Sequence, residues 1–315
     1  MIIVTGGAGF IGSNLIRGLN RRGLTNILVV DDLEDGDKHR NLNSLEFTDF
    51  VDRREFLDVL PGLSEVETIF HQGACSDTME SDGRFMLSVN YEFSKTLLAY
   101  SLFHDARFIY ASSASVYGNG DDGFRESKEC EYPLNVYAYS KFLFDRWVRK
   151  QLPEAKSQIV GLRYFNVYGP QENHKGRMAS VIYHFHNQIQ EGGGMRLFEG
   201  SEDFRRDFIY VDDVVDVNLF FLDHPEKNGI FNCGTGQAES FLSLSEAVQA
   251  RYEGSTVDRI PFPESLVGKY QAYTQADMAA LRAAGYTQPF TSLEDGVAAY
   301  TDVLKASGGF LRGPA

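Results

Sequence analysis

The feature that most constrains the fold is a glycine-rich segment, TGGAGFIGSN, which begins at Thr5. A strand-like apolar run precedes it and a helix-like run, Ile11–Arg22, follows it. Gly6, Gly9 and Gly12 therefore stand three residues apart between a strand and a helix. In such a turn the first glycine permits a tight bend, the second lets the backbone approach a pyrophosphate, and the third lets the helix pack closely on the strand. The segment predicts a dinucleotide-binding unit with the phosphates at the helix N-terminus.

Strand-like and helix-like runs alternate through the first half of the chain. The predicted strands are Ile2–Thr5, Ile27–Asp31, Thr68–His71, Phe108–Ser112 and Gln158–Arg163. The predicted helices are Ile11–Arg22, Phe85–Phe103 and Tyr137–Gln151. This alternation requires right-handed crossovers and predicts an α/β fold with a Rossmann-type, doubly wound parallel sheet.

The second half is more broken and is interrupted at Gly192–Gly194 and Pro261–Pro263. Two further strand-like runs, Asp207–Val211 and Ile230–Cys233, are expected to rejoin the first layer. The last residues, Gly308–Ala315, follow no periodic pattern and are interpreted as a frayed tail.

These runs predict two regions. Residues 1–169 form a dinucleotide-binding domain, to which a segment at about 205–236 returns. Residues 170–204 and 237–315 form a smaller, mixed α/β substrate-binding lobe over the carboxyl ends of the strands. Neither repeats nor an obvious linker separate the two regions.

Composition and charge argue against several classes of protein. The 315 residues include 30 Lys and Arg against 44 Asp and Glu, a net charge of −14. Such a surface repels polyphosphate backbones, so nucleic acid is not an expected partner. A membrane partner is not expected either, because no apolar run approaches the ~18 residues that span a bilayer, and no export signal is recognised. Three widely spaced cysteines without a CxxC pair predict a reducing cytoplasm, with neither a disulfide framework nor a metal site.

An acidic pair, Asp31 and Asp32, ends the second predicted strand, about 20 residues after the glycine turn. A carboxylate at this position accepts a hydrogen bond from a ribose hydroxyl of the dinucleotide. Asp31 alone favours NAD, because a carboxylate repels a 2′-phosphate. Lys38 and Arg53 lie downstream and could supply the opposite charge. The residues themselves therefore leave both NAD and NADP open.

A tyrosine and a lysine in the segment NVYAYSK, Tyr137 and Lys141, are spaced i, i+4 and share one helical face. A phenol titrates near pH ~10, and a neighbouring ammonium is expected to lower that pKa. The pair is predicted to exchange a proton with a substrate hydroxyl while hydride passes to nicotinamide. Ser112 or Ser113, at a strand end, would hydrogen-bond the reacting oxygen. Tyr139 points off that face and is expected to be structural.

The glycine turn, the serine-bearing strand end and the YxxxK pair together resemble the extended short-chain dehydrogenase/reductase superfamily. The resemblance covers essentially the whole chain. It implies a Rossmann domain with a smaller lobe that binds nucleotide-sugars. Dehydratases of the superfamily carry an acidic residue beside the strand-end serine or threonine, whereas this chain has Ser113, Ala114 and Ser115. Oxidation followed by re-reduction is therefore favoured over elimination.

Longer blocks, among them DDLEDGDKHRNL, HQGACSDT and RYFNVYGPQENHKGRMASV, resemble the branch of the superfamily that epimerises ADP-heptose at C6. This resemblance implies interconversion of ADP-D-glycero-D-manno-heptose and its L-glycero epimer through a transient ketone, for the inner core of lipopolysaccharide. It implies tightly held NADP, with NAD possible, and assembly as a homo-oligomer. Two alternatives stay open: another nucleotide-sugar epimerase or reductase, and a non-catalytic sensor of NADP.

The resemblance assigns roles residue by residue. The implied catalytic residues are Tyr137, Lys141, Lys175 and Ser113. The implied cofactor-binding residues are Gly6, Gly9, Phe10, Ile11, Gly12, Asp31, Asp32, Lys38, Arg53, Gln72, Gly73, Ala74, Cys75, Ser76, Asn90, Lys141, Val167 and Lys175. The implied substrate-binding residues are Ser113, Asn166, Arg177, His184, Phe198, Glu199, Gly200, Ser201, Arg206 and Tyr270. The chain departs from the family pattern at Asp32 (usually Asn), Arg53 (usually Lys), Gln72 (usually Glu) and Arg177 (usually Ser).

Overall fold

Strands and helices alternate as the sequence predicts in the computed structural model, which describes residues 1–262 and 271–313. The strands are β1 (Ile2–Thr5), β2 (Ile27–Asp31), β3 (Asp49–Asp52), β4 (Thr68–His71), β5 (Arg107–Ser113), β6 (Ile159–Tyr164), β7 (Asn166–Tyr168), β8 (Met195–Phe198), β9 (Arg205–Arg206), β10 (Phe208–Tyr210), β11 (Gly229–Cys233), β12 (Glu239–Ser240) and β13 (Val257–Ile260). The helices are α1 (Phe10–Arg21), α2 (Arg53–Val59), α3 (Gly83–Leu87), α4 (Phe93–Phe103), α5 (Val136–Gln151), α6 (Val181–Gln190), α7 (Val211–Asp223), α8 (Phe241–Gln249), α9 (Ala279–Ala283) and α10 (Leu293–Ser307).

A parallel sheet forms the centre of the molecule. Within the described residues it has seven strands in the order β11-β6-β5-β4-β1-β2-β3. The strand order reverses between β1 and β4, and open α/β sheets bind ligands at this switch point, outside the carboxyl ends of the strands. The predicted Rossmann-type fold is confirmed.

Helices cover both faces of the sheet, which explains why its inner strands are continuous apolar runs. On one face α1 packs on α7, and Gly18 permits their close approach because a Cβ there would lie 2.5 Å from Cγ1 of Val215. On the other face α4 and α5 bury Leu97, Phe144 and Val148 against the strands. The two buried layers hold the carboxyl ends of the strands rigid relative to one another.

One strand prediction is wrong in its pairing. The run Asp207–Val211 does contain a strand, β10, but it pairs with β7 in a separate two-stranded parallel sheet. The position beside β6 is occupied by β11, which contains the second predicted run, so β10 does not pair there. The sequence analysis also missed β3, because Asp49–Asp52 is a half-exposed edge strand without a continuous apolar run.

The region predicted as the smaller lobe contains its own apolar cluster. Helices α6, α8 and α10 pack together beside β8 and β13, with Phe185, Leu244 and Tyr300 buried between them. The exact division into two domains stays a proposal. None of the helices in the described ranges is both long and apolar enough to span a membrane.

The expected frayed tail is wrong for residues 308–313. Helix α10 is capped at its C-terminal end by Gly308, which is left-handed with φ 66°. The chain then turns back, and Phe310 is only 6% exposed beneath the guanidinium of Arg40, which lies 3.7 Å from the ring centroid. A buried aromatic ring anchors this segment, and a helix-period pattern does not reveal such an anchor. The last two residues lie outside the described part of the chain.

Candidate active site

A cavity of 850 Å³ opens at the carboxyl ends of the central strands. We call it the main cavity. Its volume is in the range of small-molecule and cofactor sites. A second cavity of 260 Å³, the side cavity, adjoins it. The two share Phe165, Val167, Lys175 and Met178, so a ligand in one reaches the other without crossing the core.

The glycine-rich turn forms one wall of the main cavity and fits a dinucleotide. Gly6 is left-handed, with φ 67°, and a Cβ there would lie 2.6 Å from the nitrogen of Gly73. A Cβ on Gly12 would lie 2.1 Å from the carbonyl oxygen of Gly6. Gly9 is the N-cap of α1, and no side chain caps the helix there. The turn therefore leaves a cradle that any larger residue would fill, beside an uncapped helix N-terminus.

Four charged side chains line the end of the cavity at β2. Asp31 accepts a hydrogen bond from the nitrogen of Ala8 at 2.8 Å, which joins it to the glycine-rich turn. The ammonium of Lys38 lies 2.5 Å from Asp31 and 3.3 Å from Asp32, and Arg53 hydrogen-bonds the other oxygen of Asp32. Burial opposes ionisation of Asp32, but Arg53 and Lys38 together hold its pKa below the ordinary value. The two cations and two anions therefore compensate one another in the absence of ligand.

Tyr137 and Lys141 both line the main cavity, as predicted. Helix α5, which carries them, begins after Asn135, whose side chain caps the nitrogen of Ala138 at 2.8 Å. The ammonium of Lys141 donates to the carbonyl oxygen of Ala111 at 2.8 Å. Tyr139 is 43% exposed and is not among the residues that line the cavity, so it lies off the face of Tyr137, as predicted.

The predicted direction of the Tyr137 pKa is wrong. Burial raises it, and a hydrogen bond with Ser113 opposes that shift only in part. Burial also lowers the pKa of Lys141 to about 8, although Asp145 opposes the change. Because Lys141 is turned toward a main-chain carbonyl, desolvation outweighs any stabilisation of the phenolate by its ammonium.

The two candidate serines differ in their partners. Ser112 donates to a buried oxygen of Asp145 at 2.9 Å. Ser113 accepts hydrogen bonds from Ser115, and it lines the main cavity together with Tyr137. Ser113 is therefore the serine that can reach a substrate oxygen.

A buried ionic network, which the sequence analysis did not identify, supports this wall from behind. Asp145, one helical turn after Lys141, accepts hydrogen bonds from Tyr110 and Arg163 at 2.9 Å each. Arg163 also bonds Glu131, and both the Arg163 and Asp145 side chains are fully buried. No local spacing in the sequence indicates this network, because Glu131, Asp145 and Arg163 lie on different elements.

Lys175 lies in the second half of the chain, on the short 3₁₀ helix Asn173–Met178. Its ammonium lies 3.7 Å from Glu172 and 4.9 Å from the ring centroid of Phe10, and the residue lines both cavities. Its neighbour His174, not singled out from the sequence, also lines the main cavity. Burial, with Lys38 and Lys175 adding to it, lowers the pKa of His174 to about 4, so its ring is neutral at pH 7.

The other predicted cofactor residues fall into two groups. Those that line the main cavity are Phe10, Ile11, Gln72, Gly73, Ala74, Cys75, Ser76 and Val167. Asn90 does not line it; this residue lies one layer behind, where its amide bonds both the nitrogen and the carbonyl oxygen of Cys75. Phe85, Val89 and Phe93 were missed, although their i, i+4, i+8 spacing marks a helical face, and all three line the cavity.

The predicted substrate residues are only partly brought together. Arg177 lines the main cavity, where it pairs with Asp77 at 2.7 Å, and Asn166 lines the side cavity. The guanidinium of Arg206 lies 5.9 Å from the ring centroid of Phe241, which also lines the side cavity. The predicted residues that line neither cavity are His184, Phe198, Glu199, Gly200, Ser201 and Arg206. Tyr270 lies outside the described residues.

A sequence model of the NAD-dependent epimerase/dehydratase family matches residues 2–234, most of the chain and all of the main sheet. The chain belongs to this family. It is 58% identical over 317 residues to ADP-L-glycero-D-manno-heptose-6-epimerase of Brachyspira hyodysenteriae, a match that covers 99% of this chain and 100% of that protein. The predicted resemblance to the heptose 6-epimerase branch is thereby confirmed.

Solved structures agree with the fold and the family. The crystal structure of ADP-L-glycero-D-manno-heptose-6-epimerase from Helicobacter pylori superposes with a TM-score of 0.86 at 31% identity, covering 97% of this chain and 96% of that one. The UDP-glucose 4-epimerase of Thermus thermophilus, in complex with NAD, gives 0.80 at 27% identity, covering 97% and 99%. Together with the family match, these neighbours support a nicotinamide cofactor. Among the described residues, no group of three or more His, Cys, Asp or Glu could hold a metal ion.

Proposed function

We propose that this protein interconverts ADP-D-glycero-D-manno-heptose and ADP-L-glycero-D-manno-heptose by transient oxidation at C6, in the synthesis of the lipopolysaccharide inner core. The observation that carries the proposal is the convergence of Tyr137, Lys141 and Lys175 on the cavity that the glycine-rich turn also lines. The 58% identity to a heptose 6-epimerase supports the choice of sugar. The same activity was implied by the resemblance in the sequence.

Different residues of the chain have different roles in the proposed reversible oxidation. A nicotinamide dinucleotide bound along the glycine-rich turn would accept hydride from C6 and return it. Tyr137 takes the proton from the C6 hydroxyl as the carbon is oxidised, while Ser113 orients the same oxygen. Lys141 binds β5 through the carbonyl oxygen of Ala111, one turn along α5 from the phenol.

Inversion returns hydride to the other face of the ketone, and a second proton-transfer group on that side would serve the return step. Lys175 is proposed for this role. It lines both cavities and comes from the smaller lobe rather than from α5. The side cavity would leave room for the sugar nucleotide to turn between the two half-reactions.

The deciding experiment supplies ADP-D-glycero-D-manno-heptose to the purified protein and follows the configuration at C6 by NMR. We expect an equilibrium mixture of both epimers without net consumption of dinucleotide. A parallel incubation with UDP-glucose tests the 4-epimerase alternative. Turnover of UDP-glucose alone would replace the proposed substrate, and no turnover of any sugar nucleotide by dinucleotide-loaded protein would favour a sensor.

For the cofactor we propose NADP. Lys38 and Arg53 converge on one end of the main cavity, where two cations favour binding of a 2′-phosphate. Asp32 pairs with both cations and therefore lowers the advantage of NADP over NAD. Asp31 is joined to the glycine-rich turn through Ala8. At this position its carboxylate would accept a hydrogen bond from a ribose hydroxyl of either NAD or NADP.

Arg53→Ala is expected to weaken NADP binding about tenfold or more and to leave NAD binding nearly unchanged, because one charged hydrogen bond to phosphate is lost. Isothermal titration with each dinucleotide measures this. Arg54→Ala is the matched control, since Arg54 is exposed, pairs with Glu34 and does not line the cavity. Equal losses for NAD and NADP in Arg53→Ala would contradict the assignment of the 2′-phosphate.

We further propose that the protein acts in the cytoplasm as a homo-oligomer. The resemblance supports assembly, and the three cysteines, none of them in a disulfide, fit a reducing compartment. Light scattering on the purified protein tests the assembly, and a monomer at micromolar concentration would contradict it.

A further inference from the structure

The C-terminal segment Gly308–Leu311, which we call the strap, lies across two of the turns that line the main cavity. One is the 3₁₀ helix Asn173–Met178, which carries Lys175. The other is the 3₁₀ helix Gly36–Asn41, which carries Lys38. Neither the proposed reaction nor the family match assigns the strap a role.

Hydrogen bonds join the strap to the start of the Lys175 turn. The nitrogen of Gln171 donates to the carbonyl oxygen of Gly309 at 2.8 Å, and the amide of Asn173 donates to that of Gly308 at 2.6 Å. The nitrogen of Leu311 returns a bond to the Gln171 side chain at 3.2 Å. The strap therefore binds the main-chain nitrogen of Gln171 and the side chains of Gln171 and Asn173.

Other contacts join the strap to the Lys38 turn. The ring of Phe310 is buried beneath the guanidinium of Arg40, 3.7 Å from its centroid. Just beyond this turn, the hydroxyl of Ser44 donates to the carbonyl oxygen of Leu311 at 3.3 Å. The strap thus connects two elements that are far apart in the sequence.

Gln171 is the centre of these contacts. It is fully buried, and its side chain donates to the carbonyl oxygen of Asn41 at 3.0 Å. The amide of Asn41 in turn donates to the carbonyl oxygens of Gln171 at 3.1 Å and of Ala8, within the glycine-rich turn, at 2.9 Å. Gln171 has a left-handed backbone, with φ 78°, which is uncommon for a non-glycine residue.

We propose that Gln171, held by the strap, is a positioning residue that fixes the Lys175 turn against the glycine-rich turn. It acts through Asn41 and does not touch the reacting atoms. Two consequences follow: a bound dinucleotide is released slowly, because the turns on either side of it are tied together, and Lys175 keeps its place at the junction of the two cavities. The second consequence rests on the proposed function, whereas the first does not.

The test is Gln171→Gly, which removes the side chain but keeps a residue suited to positive φ. Dinucleotide release is measured by fluorescence after the bound dinucleotide is displaced, with no sugar nucleotide present. We expect the rate of release to increase about tenfold or more. We also expect kcat to fall at least about tenfold with KM changed less than about threefold, since a small misplacement of Lys175 impairs the chemical step. Asn173→Ala, which removes one bond to the strap, should change both quantities in the same direction by less.

Glu65→Gly is the matched control, because Glu65 also has a left-handed backbone, with φ 58°, but is exposed and is not a cavity residue. It should leave release and kcat unchanged. The proposal is overturned if the release rate and kcat of Gln171→Gly stay within about twofold of those of the parent protein. It is also overturned if the variant has a lower melting temperature but does not release dinucleotide faster at 25 °C. Faster release in a protein that does not epimerise ADP-heptose would support the strap and refute the proposed reaction.

Discussion

At the scale of single residues, Tyr137 keeps its proton in the protein without ligands, because burial raises its pKa. The role proposed for it as a base therefore cannot be derived from the neighbouring ammonium of Lys141. The i, i+4 spacing was sufficient to predict that the two residues share a face. It could not predict the direction of the shift, because desolvation depends on everything packed around the phenol.

Tyr137→Phe is expected to lower kcat by a factor of about 10²–10⁴, because it removes the proton acceptor without changing the shape of the wall. Dinucleotide affinity, measured by titration, should be unchanged. Tyr139→Phe is the control, since Tyr139 is exposed and lies off the cavity face. Full epimerase activity in Tyr137→Phe would exclude this residue as the acid/base group.

Lys175→Met is expected to lower the rate of epimerisation by a similar factor of about 10²–10⁴. Oxidation at C6 should continue, because only the second proton transfer is lost. Exchange of hydrogen at C6 with the bound cofactor, followed with a deuterated substrate, separates the two steps. Lys128→Met, at an exposed position, is the control. Normal epimerisation in Lys175→Met would eliminate the mechanism with two proton-transfer groups.

At the scale of elements, one face of α5 carries both the candidate chemistry and its support. Lys141 lines the cavity, and Asp145, one turn later, binds Arg163 of β6 in a fully buried pair. Burying an ion pair has a large desolvation penalty, which is offset here by hydrogen bonds from Tyr110 and Ser112. The pair fixes the rotation of α5 relative to the sheet.

Asp145→Asn is expected to lower the free energy of unfolding by about 3–5 kcal/mol, because it leaves the buried Arg163 incompletely compensated. Urea denaturation measures this value. Asp223→Asn, which removes the partner of Arg22 in an exposed pair, should change it by less than about 1 kcal/mol. Similar losses in the two variants would show that the buried pair does not anchor the helix.

The elements also show which parts of the structure a sequence can reveal. The central strands and α1 were predictable, since apolar runs and the glycine-rich turn are local patterns. The partner of β10, the burial of Phe310 and the left-handed backbone of Gln171 were not, because each depends on residues far away in the chain. The same holds for the candidate site: Tyr137, Lys141 and the glycine wall followed from spacing, whereas the contribution of His174 required the fold.

At the scale of the whole molecule, acid stability depends on a buried histidine. His71 of β4 bonds Thr5 of β1 at 2.6 Å and Ser94 of α4 at 2.7 Å. Burial, with Lys141 adding to it, lowers its pKa from 6.5 to about 3. The unfolded chain therefore binds a proton below pH ~6.5 that the folded protein does not, so stability falls as the pH drops from ~6.5 toward 3.

His71→Gln is expected to reduce the pH slope of the free energy of unfolding by up to about 1.4 kcal/mol per pH unit between pH 6 and pH 4. The variant should be less stable than the parent protein at pH 7, because one of two hydrogen bonds is lost. Urea denaturation at several pH values measures the slope. Asp213, whose pKa is raised to about 6, contributes with the opposite sign in both proteins, so the difference between the two slopes isolates His71. Parallel slopes would contradict a neutral buried imidazole.

The position of β11 at the edge of the main sheet determines how this molecule can be divided. Strand β11 and helix α7 come from residues 211–233, yet they complete the sheet and cover α1. A fragment ending near residue 169 would leave the outer edge of β6 unpaired and the apolar side of α1 in water, and such fragments self-associate. Exchanging only the proposed smaller lobe between two enzymes of this family therefore requires two separate grafts, one on each side of residues 211–233. A single crossover near residue 169 would also replace β11 and α7, so β6 and α1 would pack against residues of the other enzyme.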